Sequence, residues 1–301
     1  MHTDSFLSLG PHGFHRVAFY DWGSSTNPHV VVCVHGLTRT GRDFDALARA
    51  LAGDCRVVCP DIVGRGKSDW LAKRHDYGYP VYVSDMAALM ARTWGRNGVN
   101  GFSLEKLMRK VRGRDEAPRI DWVGTSMGGL IGMFIASKPN SPIRRLVVND
   151  IGPFVPAAAL KRLASYVGKN PRFSSLEELT AYLRQIAAPF GPLSDAEWRH
   201  LALHSSRQYD DGAWGFVYDP QIASALRPPF TDVNLWPVWD QVRCPTLILR
   251  GADSDLLLKK TAREMLSRGP KSQLIEFPGV GHAPTLTSKE QIAAVREFLL
   301  A

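Results

Sequence analysis

The stretch RIDWVGTSMGGLIGMFIAS, residues 119–137, decides the fold. Its first part, RIDWVG, has the composition of a buried strand, and the part from Met127 to Ser137 has the apolar content of a buried helix. Between them lies the G-x-S-x-G sequence Gly124-Thr125-Ser126-Met127-Gly128. A sharp strand-to-helix turn strains the backbone of its serine, and glycine on both sides removes Cβ atoms that would clash there. The stretch therefore predicts a nucleophile elbow that raises the Ser126 hydroxyl above the edge of a sheet.

Strand and helix patterns alternate on both sides of this elbow. The predicted strands cover residues 15–23, 29–36, 55–61, 119–124, 144–150, 245–251 and 272–279. Helical patterns lie between most of them and after the last one. Such alternation predicts an α/β protein, with a mainly parallel sheet and helices on both faces.

Residues 153–240 interrupt this alternation. They contain few strand patterns but two helix-start signals, Ser175 with Glu178 and Ser194 with Glu197. We therefore predict a core of residues 1–152 and 241–301, with residues 153–240 inserted as a mostly helical cap. The cap is rich in aromatic residues, among them Trp198, Trp214, Trp236 and Trp239. We expect most of these rings to form the cap's own core and a few to face a substrate as an apolar lid.

A serine nucleophile needs a base and, behind the base, a carboxylate. His282 is the candidate base, because it lies in the loop Gly279-Val280-Gly281-His282-Ala283-Pro284 directly after the last predicted strand. Asp255 is the favoured acid, since the apolar run after it leads into a helix and would fix the turn. Asp253 in the same loop and Asp150 at the end of the strand RRLVVND stay open as alternatives.

Negative charge that develops on a carbonyl oxygen requires N–H donors. The sequence His35-Gly36-Leu37-Thr38 follows a predicted buried strand, and Gly36 lets the backbone turn its amides towards Ser126. The expected donors are the backbone N–H groups of Leu37 and Met127. We expect His35 to brace this loop rather than to act as a second base.

In chain order, the motifs are His35-Gly36, D-x-x-G-R-G-x-S at residues 61–68, the elbow, an acid, and Gly281-His282-Ala283-Pro284. This order resembles the α/β-hydrolase superfamily over nearly the whole chain. The resemblance implies an eight-stranded sheet with a helical cap and a catalytic triad of Ser126, Asp255 and His282. The chain is similar to cap-bearing bacterial serine esterases and carbon–carbon bond hydrolases. It departs from them in one respect, since their acid commonly lies three residues after a strand-ending glycine, where Ser254 stands here.

These residues predict a serine hydrolase acting on a small carboxylic ester, thioester or lactone through an acyl-enzyme on Ser126. One alternative is a hydrolase that cleaves a carbon–carbon bond of a diketone with the same triad. Its substrate could be held through a carboxylate by the cap residues Arg162, Arg172 or Arg184. The other alternative, from a different class, is a small-molecule receptor on the same fold.

The composition limits the other classes of function. The 301 residues carry a formal net charge of +8, with eight basic and three acidic residues between Arg92 and Arg119. We expect this stretch to be a solvated surface, because it has neither interleaved aromatic residues nor a nucleic-acid-binding motif.

The four cysteines have no metal-ligand spacing, so we expect buried, reduced thiols, no metal and no cofactor. The sequence shows neither a secretory signal nor a membrane-spanning run, so we expect a cytoplasmic protein with a small apolar substrate.

Overall fold

The computed structural model describes residues 1–96 and 119–301. An eight-stranded sheet forms the core, in the order β1-β2-β4-β3-β5-β6-β11-β12. Its strands are β1 (His2–Gly10), β2 (Gly13–Trp22), β3 (His29–Val34), β4 (Arg56–Pro60), β5 (Arg119–Thr125), β6 (Ile143–Asn149), β11 (Thr246–Gly251) and β12 (Ser272–Phe277). The pairs β1–β2 and β2–β4 are antiparallel, and all other neighbours are parallel. The predicted mainly parallel sheet is confirmed.

The described residues outside the sheet include α1 (Asp45–Leu51), α2 (Tyr79–Arg96), α3 (Met127–Ala136), α4 (Ala157–Ala164), α5 (Leu176–Ile186), α6 (Asp195–Ser205), α7 (Trp236–Trp239), α8 (Lys259–Ser267) and α9 (Lys289–Leu300). Short strands β7 (Phe154–Val155), β8 (Ser206–Gln208), β9 (Trp214–Phe216) and β10 (Val233–Asn234) lie apart from the main sheet. The predicted alternation of strands and helices is therefore present on both sides of β5.

The helices cover both faces of the sheet because its central strands are apolar throughout. On β3, Val30, Val32 and Val34 belong to one buried cluster, which includes residues of α2, α3 and α8. Val31 and Cys33 belong to a second cluster, which includes residues of α1 and α9. Since neighbouring side chains of a strand point to opposite faces, a strand buried on both sides reads as a continuous apolar run.

The hairpin of β1 and β2 extends the sheet beyond the predicted strands. Residues 2–10 were not among the predicted strands, and they pair with β2 from His2 opposite Asp21 to Gly10 opposite Gly13. Phe6 is buried, whereas Leu7 and Leu9 are exposed. An edge strand that covers the core with one face only carries a weaker apolar signal than a central strand.

Residues 153–240, the segment predicted as a cap, lie between β6 and β11 and contain α4 to α7 and two small two-stranded ribbons. Both predicted helix starts are confirmed, because Ser175 and Ser194 cap the N-termini of α5 and α6 through their hydroxyl oxygens. The rings of Phe173, Tyr182 and Phe216 contact one another at centroid distances of 5.3 to 6.2 Å. These aromatic side chains form a core within the cap, as expected for most of its rings.

The four cysteines are free; Cys33, Cys55 and Cys59 are buried, and Cys244 is half-buried. The prediction for the basic stretch 92–119 lies largely outside the described residues, which stop at 96 and resume at 119. No helix in the described ranges is long and apolar enough to cross a membrane.

Candidate active site

The turn between β5 and α3 has the geometry of a nucleophile elbow. Ser126 lies between the two elements with φ 52° and ψ −117°, a left-handed conformation that costs a non-glycine residue energy. A Cβ at Gly124 would lie 2.3 Å from the backbone of Gly128, and a Cβ at Gly128 would lie 2.0 Å from the Val34 carbonyl oxygen. Both positions therefore require glycine, as the sequence predicts.

His282 meets Ser126 from the loop after β12. Its Nε2 atom lies 3.0 Å from the Ser126 Oγ atom. Its Nδ1 atom lies 2.7 Å from Oδ2 of Asp150, which is fully buried. With Nδ1–H donating to Asp150, the neutral ring presents an unprotonated Nε2 to the serine hydroxyl. The structure thus brings together Ser126, His282 and one of the three candidate carboxylates.

The favoured carboxylate, Asp255, does not lie beside His282, so the predicted placement is wrong. Asp255 is exposed, and its two oxygens accept hydrogen bonds from Nε and Nη2 of Arg162 at 2.5 and 2.9 Å. Asp253, the first alternative, is also exposed. Asp150, the second alternative, is the residue in place.

Ser254 provides the physical reason for this arrangement. Ser254 stands at the sequence position where the acid is expected, and its hydroxyl donates to Asp150 Oδ2 at 2.6 Å. The backbone N–H of Gly251 donates to Asp150 Oδ1 at 2.8 Å. Asp150 itself has φ 56° directly after β6. Hydrogen bonds from Ser254, Gly251 and His282 therefore hold a buried carboxylate, which would be costly to bury without partners.

The loop after β3 passes next to Ser126 and is braced by His35. The His35 Nδ1–H donates to the Gly36 carbonyl at 2.7 Å, and Nε2 accepts from the Ile62 N–H at 2.9 Å. Burial is the main reason that the pKa of His35 falls to about 4, so the ring stays neutral. A Cβ at Gly36 would lie 3.6 Å from the Ser126 Cβ. These contacts are those of the bracing role expected for His35.

Arg65 is a positioning residue that the sequence analysis did not single out. It is fully buried, and its Nε donates to the Leu37 carbonyl at 2.8 Å. Its Nη1 donates to the Val63 carbonyl and to the Tyr82 hydroxyl, and Nη2 lies 3.7 Å from the Met127 Sδ. Arg65 thus links the two residues expected to supply oxyanion donors. Its position inside the motif at residues 61–68 was the available signal.

A cavity of about 100 Å³ opens over Ser126 and His282. The cap supplies its apolar wall through Leu163, Val167, Leu183, Ile186, Phe190 and Leu201. Tyr166 and Phe190 are the cap's aromatic residues in this lining. The result agrees with the expectation that only a few of the cap's rings would face a substrate.

Two arginines, Arg39 and Arg162, belong to the lining of this cavity. Arg39 donates to both carboxylate oxygens of Asp43 at 2.8 and 2.7 Å and is buried. The Arg162 side chain is 34% exposed, so solvent or a ligand can reach it. Arg172 and Arg184, the two other cap arginines considered for a carboxylate, form ion pairs with Asp211 and Asp195 and are not among the lining residues of this cavity. Of the two arginines in the lining, Arg162 is the more exposed, and its partner Asp255 is exposed as well.

The comparisons with known proteins identify the family of the chain. A model of the alpha/beta hydrolase family matches residues 31–295, and the chain belongs to this family. It is accordingly a hydrolase.

Among proteins of known name, the chain is 45% identical to the 3-hydroxybutyrate-oligomer hydrolase of Cupriavidus necator over 299 residues, 96% of this chain and 94% of that protein. It is 26% identical to the pimeloyl-[acyl-carrier protein] methyl ester esterase of Vibrio cholerae, covering 89% of this chain and 93% of that one. Among solved structures, an alpha/beta hydrolase from Novosphingobium aromaticivorans superposes with a TM-score of 0.80 at 33% identity. That match covers 99% of this chain and 98% of the other.

Proposed function

We propose that the chain is a serine ester hydrolase that cleaves short oligomeric esters of 3-hydroxybutyrate. The observation that carries the proposal is the hydrogen-bonded row of Ser126, His282 and Asp150 beneath an apolar cavity. Its substrate class rests on the similarity to the Cupriavidus necator hydrolase, which extends over nearly the full length of both chains.

The reaction begins when His282 Nε2 removes the Ser126 proton as Oγ attacks the ester carbonyl. The tetrahedral intermediate carries an oxyanion, which the backbone N–H groups of Leu37 and Met127 stabilise. The C–O bond then breaks, and the imidazolium returns its proton to the leaving hydroxyl group. Water, deprotonated by His282, hydrolyses the acyl-enzyme in the same manner. Asp150 holds the ring in its tautomer and stabilises the imidazolium in both steps.

The size of the cavity supports a short acyl group. At about 100 Å³ it is smaller than the roughly 300–1,000 Å³ of sites for drug-sized ligands. The aliphatic wall from the cap suits the methyl branch and short chain of a 3-hydroxybutyryl unit. A long fatty acyl chain would need the cap to move.

Arg162 supports an anionic substrate. An oligomer of a hydroxy acid has one free carboxylate, and a guanidinium binds a carboxylate with two parallel hydrogen bonds. In the structure, Asp255 occupies those donors from outside the cap. Because the pair is partly exposed, we infer that a substrate carboxylate can share or replace Asp255 at modest cost.

The test is a substrate panel measured with wild type and Ser126→Ala. It contains the 3-hydroxybutyrate dimer and trimer, p-nitrophenyl acetate, butyrate and palmitate, a lactone and a ring-fission-type diketone. We expect turnover of the oligomers and of the two short aryl esters, and loss of both with Ser126→Ala. Turnover of the diketone well above every ester would favour the carbon–carbon bond hydrolase instead. Tight binding of a ligand without turnover, and without fluorophosphonate labelling of Ser126, would favour a receptor.

A further inference from the structure

The junction between the cap and the core holds a second cluster of chemically active side chains. His200 and His204 lie one helical turn apart on α6 of the cap, and Asp45 is the first residue of α1 in the core. One potential ligand atom from each of the three residues lies within 4.8 Å of the others. We propose that Asp45, His200 and His204 form a binding site for a divalent transition-metal ion such as Zn²⁺.

The geometry suits tetrahedral coordination. The Asp45 Oδ2 and His200 Nε2 atoms lie 3.5 Å apart. Ligand atoms about 2.0–2.2 Å from a tetrahedral zinc lie roughly 3.4 Å from each other, so this pair needs almost no movement. The imidazole rings have centroids 4.5 Å apart and an interplanar angle of 72°. Two histidines at i and i+4 on one helix are the spacing with which helices present imidazoles to zinc.

His200 also contacts the core at this junction. His200 Nε2 now contacts the Arg42 carbonyl at 3.1 Å, a hydrogen bond that coordination would replace.

Arg42 also sets the affinity of the site. Its Nε and Nη2 atoms donate to the Asp45 carboxylate at 2.9 and 2.5 Å, which fixes the orientation of the carboxylate. Both of these bonds reach Asp45 Oδ2, so an ion on Oδ2 would displace one of them, and the Nε bond to Oδ1 at 2.9 Å would still orient the carboxylate. Hydrogen bonds of this kind orient metal ligands in known sites. The positive charge of Arg42, in contrast, weakens the binding of a cation.

The ion would join two elements that line the cavity over Ser126. Thr40, in the loop before α1, donates to the His204 carbonyl at 3.2 Å. Phe44, directly before Asp45, and Leu201, directly after His200, both line the cavity. Metal binding would therefore fix one wall of the cavity in place.

Another group in the described residues, His12, His75 and Asp76, also brings three ligand atoms together. Its two histidines are exposed, and its residues lie in the hairpin turn of β1 and β2 and just before α2. This group has to be removed before binding at the cap is measured, so the test uses a His12→Gln/His75→Gln background.

The experiment is isothermal titration of chelator-treated protein with Zn²⁺, complemented by the visible spectrum of bound Co²⁺. We expect saturable binding to the background protein and a tetrahedral Co²⁺ spectrum. His200→Gln and His204→Gln should each weaken binding by about tenfold or more. Circular dichroism and turnover of p-nitrophenyl acetate show that the variants are folded.

Three outcomes would overturn the proposal. One is the absence of Zn²⁺ binding to the folded background protein. The second is an unchanged dissociation constant in a His200→Gln/His204→Gln double variant. The third is binding that a fluorophosphonate on Ser126 abolishes, which would place the ion on His282 instead.

Discussion

The floor and the rim of the candidate active site hold their carboxylates in opposite ways. At the floor, Asp150 is fully buried and accepts hydrogen bonds from Ser254, Gly251 and His282. At the rim, Asp255 is exposed and pairs only with the cap's Arg162 among the contacts described. Both aspartates follow parallel strands at the same edge of the sheet.

The difference shows which interactions can hold a catalytic geometry. A buried carboxylate with donors on both oxygens has one position, because losing a partner leaves charge unsatisfied at low dielectric. An exposed ion pair contributes about 0–1 kcal/mol and can exchange its partner for a ligand. We therefore expect substitutions at the floor of the site to affect the rate of the reaction and substitutions at the rim to affect the binding of substrate.

The largest effect is expected for Asp150→Asn. Asparagine keeps the shape but can reverse the tautomer of His282, and the corresponding change in a serine protease lowers kcat by about 10⁴. We expect a fall in kcat of about 10³ to 10⁴ with p-nitrophenyl acetate, measured by steady-state kinetics. Asp255→Asn is the matched control. If Asp255→Asn caused the large fall and Asp150→Asn did not, the assignment of the acid would be wrong.

The second largest effect concerns the free energy of unfolding, which should depend on pH through the buried His35. The pKa of His35 is about 4 in the folded protein against an ordinary 6.5, so between pH 6.5 and pH 4 the unfolded chain binds this proton and the folded protein does not. The free energy of unfolding is therefore unaffected by His35 above pH 6.5 and decreases by about 3 kcal/mol as the pH falls towards 4. Urea unfolding should show a drop between pH 7 and pH 4.5 that is smaller in His35→Gln. Equal pH dependence in both proteins would contradict the assigned environment.

A smaller effect is expected for Ser254→Ala. The substitution removes one hydrogen bond to a charged carboxylate, which contributes about 1.5–3 kcal/mol. Since Gly251 and His282 still hold Asp150, we expect kcat to fall by about 10- to 100-fold with little change in KM. Ser254→Asp in an Asp150→Asn background tests whether the acid can be moved to the expected position. Full activity of Ser254→Ala would show that this hydroxyl does not position the acid.

The smallest effects are expected at the rim. Arg162→Gln should raise KM for the 3-hydroxybutyrate dimer by up to about fivefold, because one partly exposed ion pair of about 0–1 kcal/mol is lost. It should leave KM for the methyl ester of the same dimer unchanged. Arg184→Gln, which alters an exposed cap arginine paired with Asp195, is the control. Equal effects on the acid and its methyl ester would exclude Arg162 as the carboxylate ligand.

The sequence predicts the parts of the fold and site that depend on neighbouring residues. The elbow is such a part, because β5, Ser126, the two glycines and α3 are contiguous and each has a local pattern. The buried parallel strands are another, because their apolar runs need no knowledge of their neighbours. His282 could be found by the same reasoning, since it follows the last strand in a loop rich in glycine.

The carboxylate that orients His282 could not be identified in this way, because three aspartates follow strands that end at the same edge of the sheet. Contacts with Gly251, Ser254 and His282, which lie 101, 104 and 132 positions further along the chain, distinguish the buried Asp150 from the exposed aspartates. The role of Arg65 is likewise set by long-range contacts with the Leu37 carbonyl and Tyr82. The edge strand β1 was not predicted, because only one of its faces is buried and its apolar pattern is therefore weak.

The most direct test of the proposed function is rapid-quench mass spectrometry of the protein mixed with the 3-hydroxybutyrate dimer. We expect a covalent adduct with the mass of one 3-hydroxybutyryl group on the peptide that contains Ser126. The adduct should be absent in Ser126→Ala, which should also lose hydrolysis of the dimer. An undiminished rate of hydrolysis in Ser126→Ala, or an adduct on a residue other than Ser126, would contradict the proposed function.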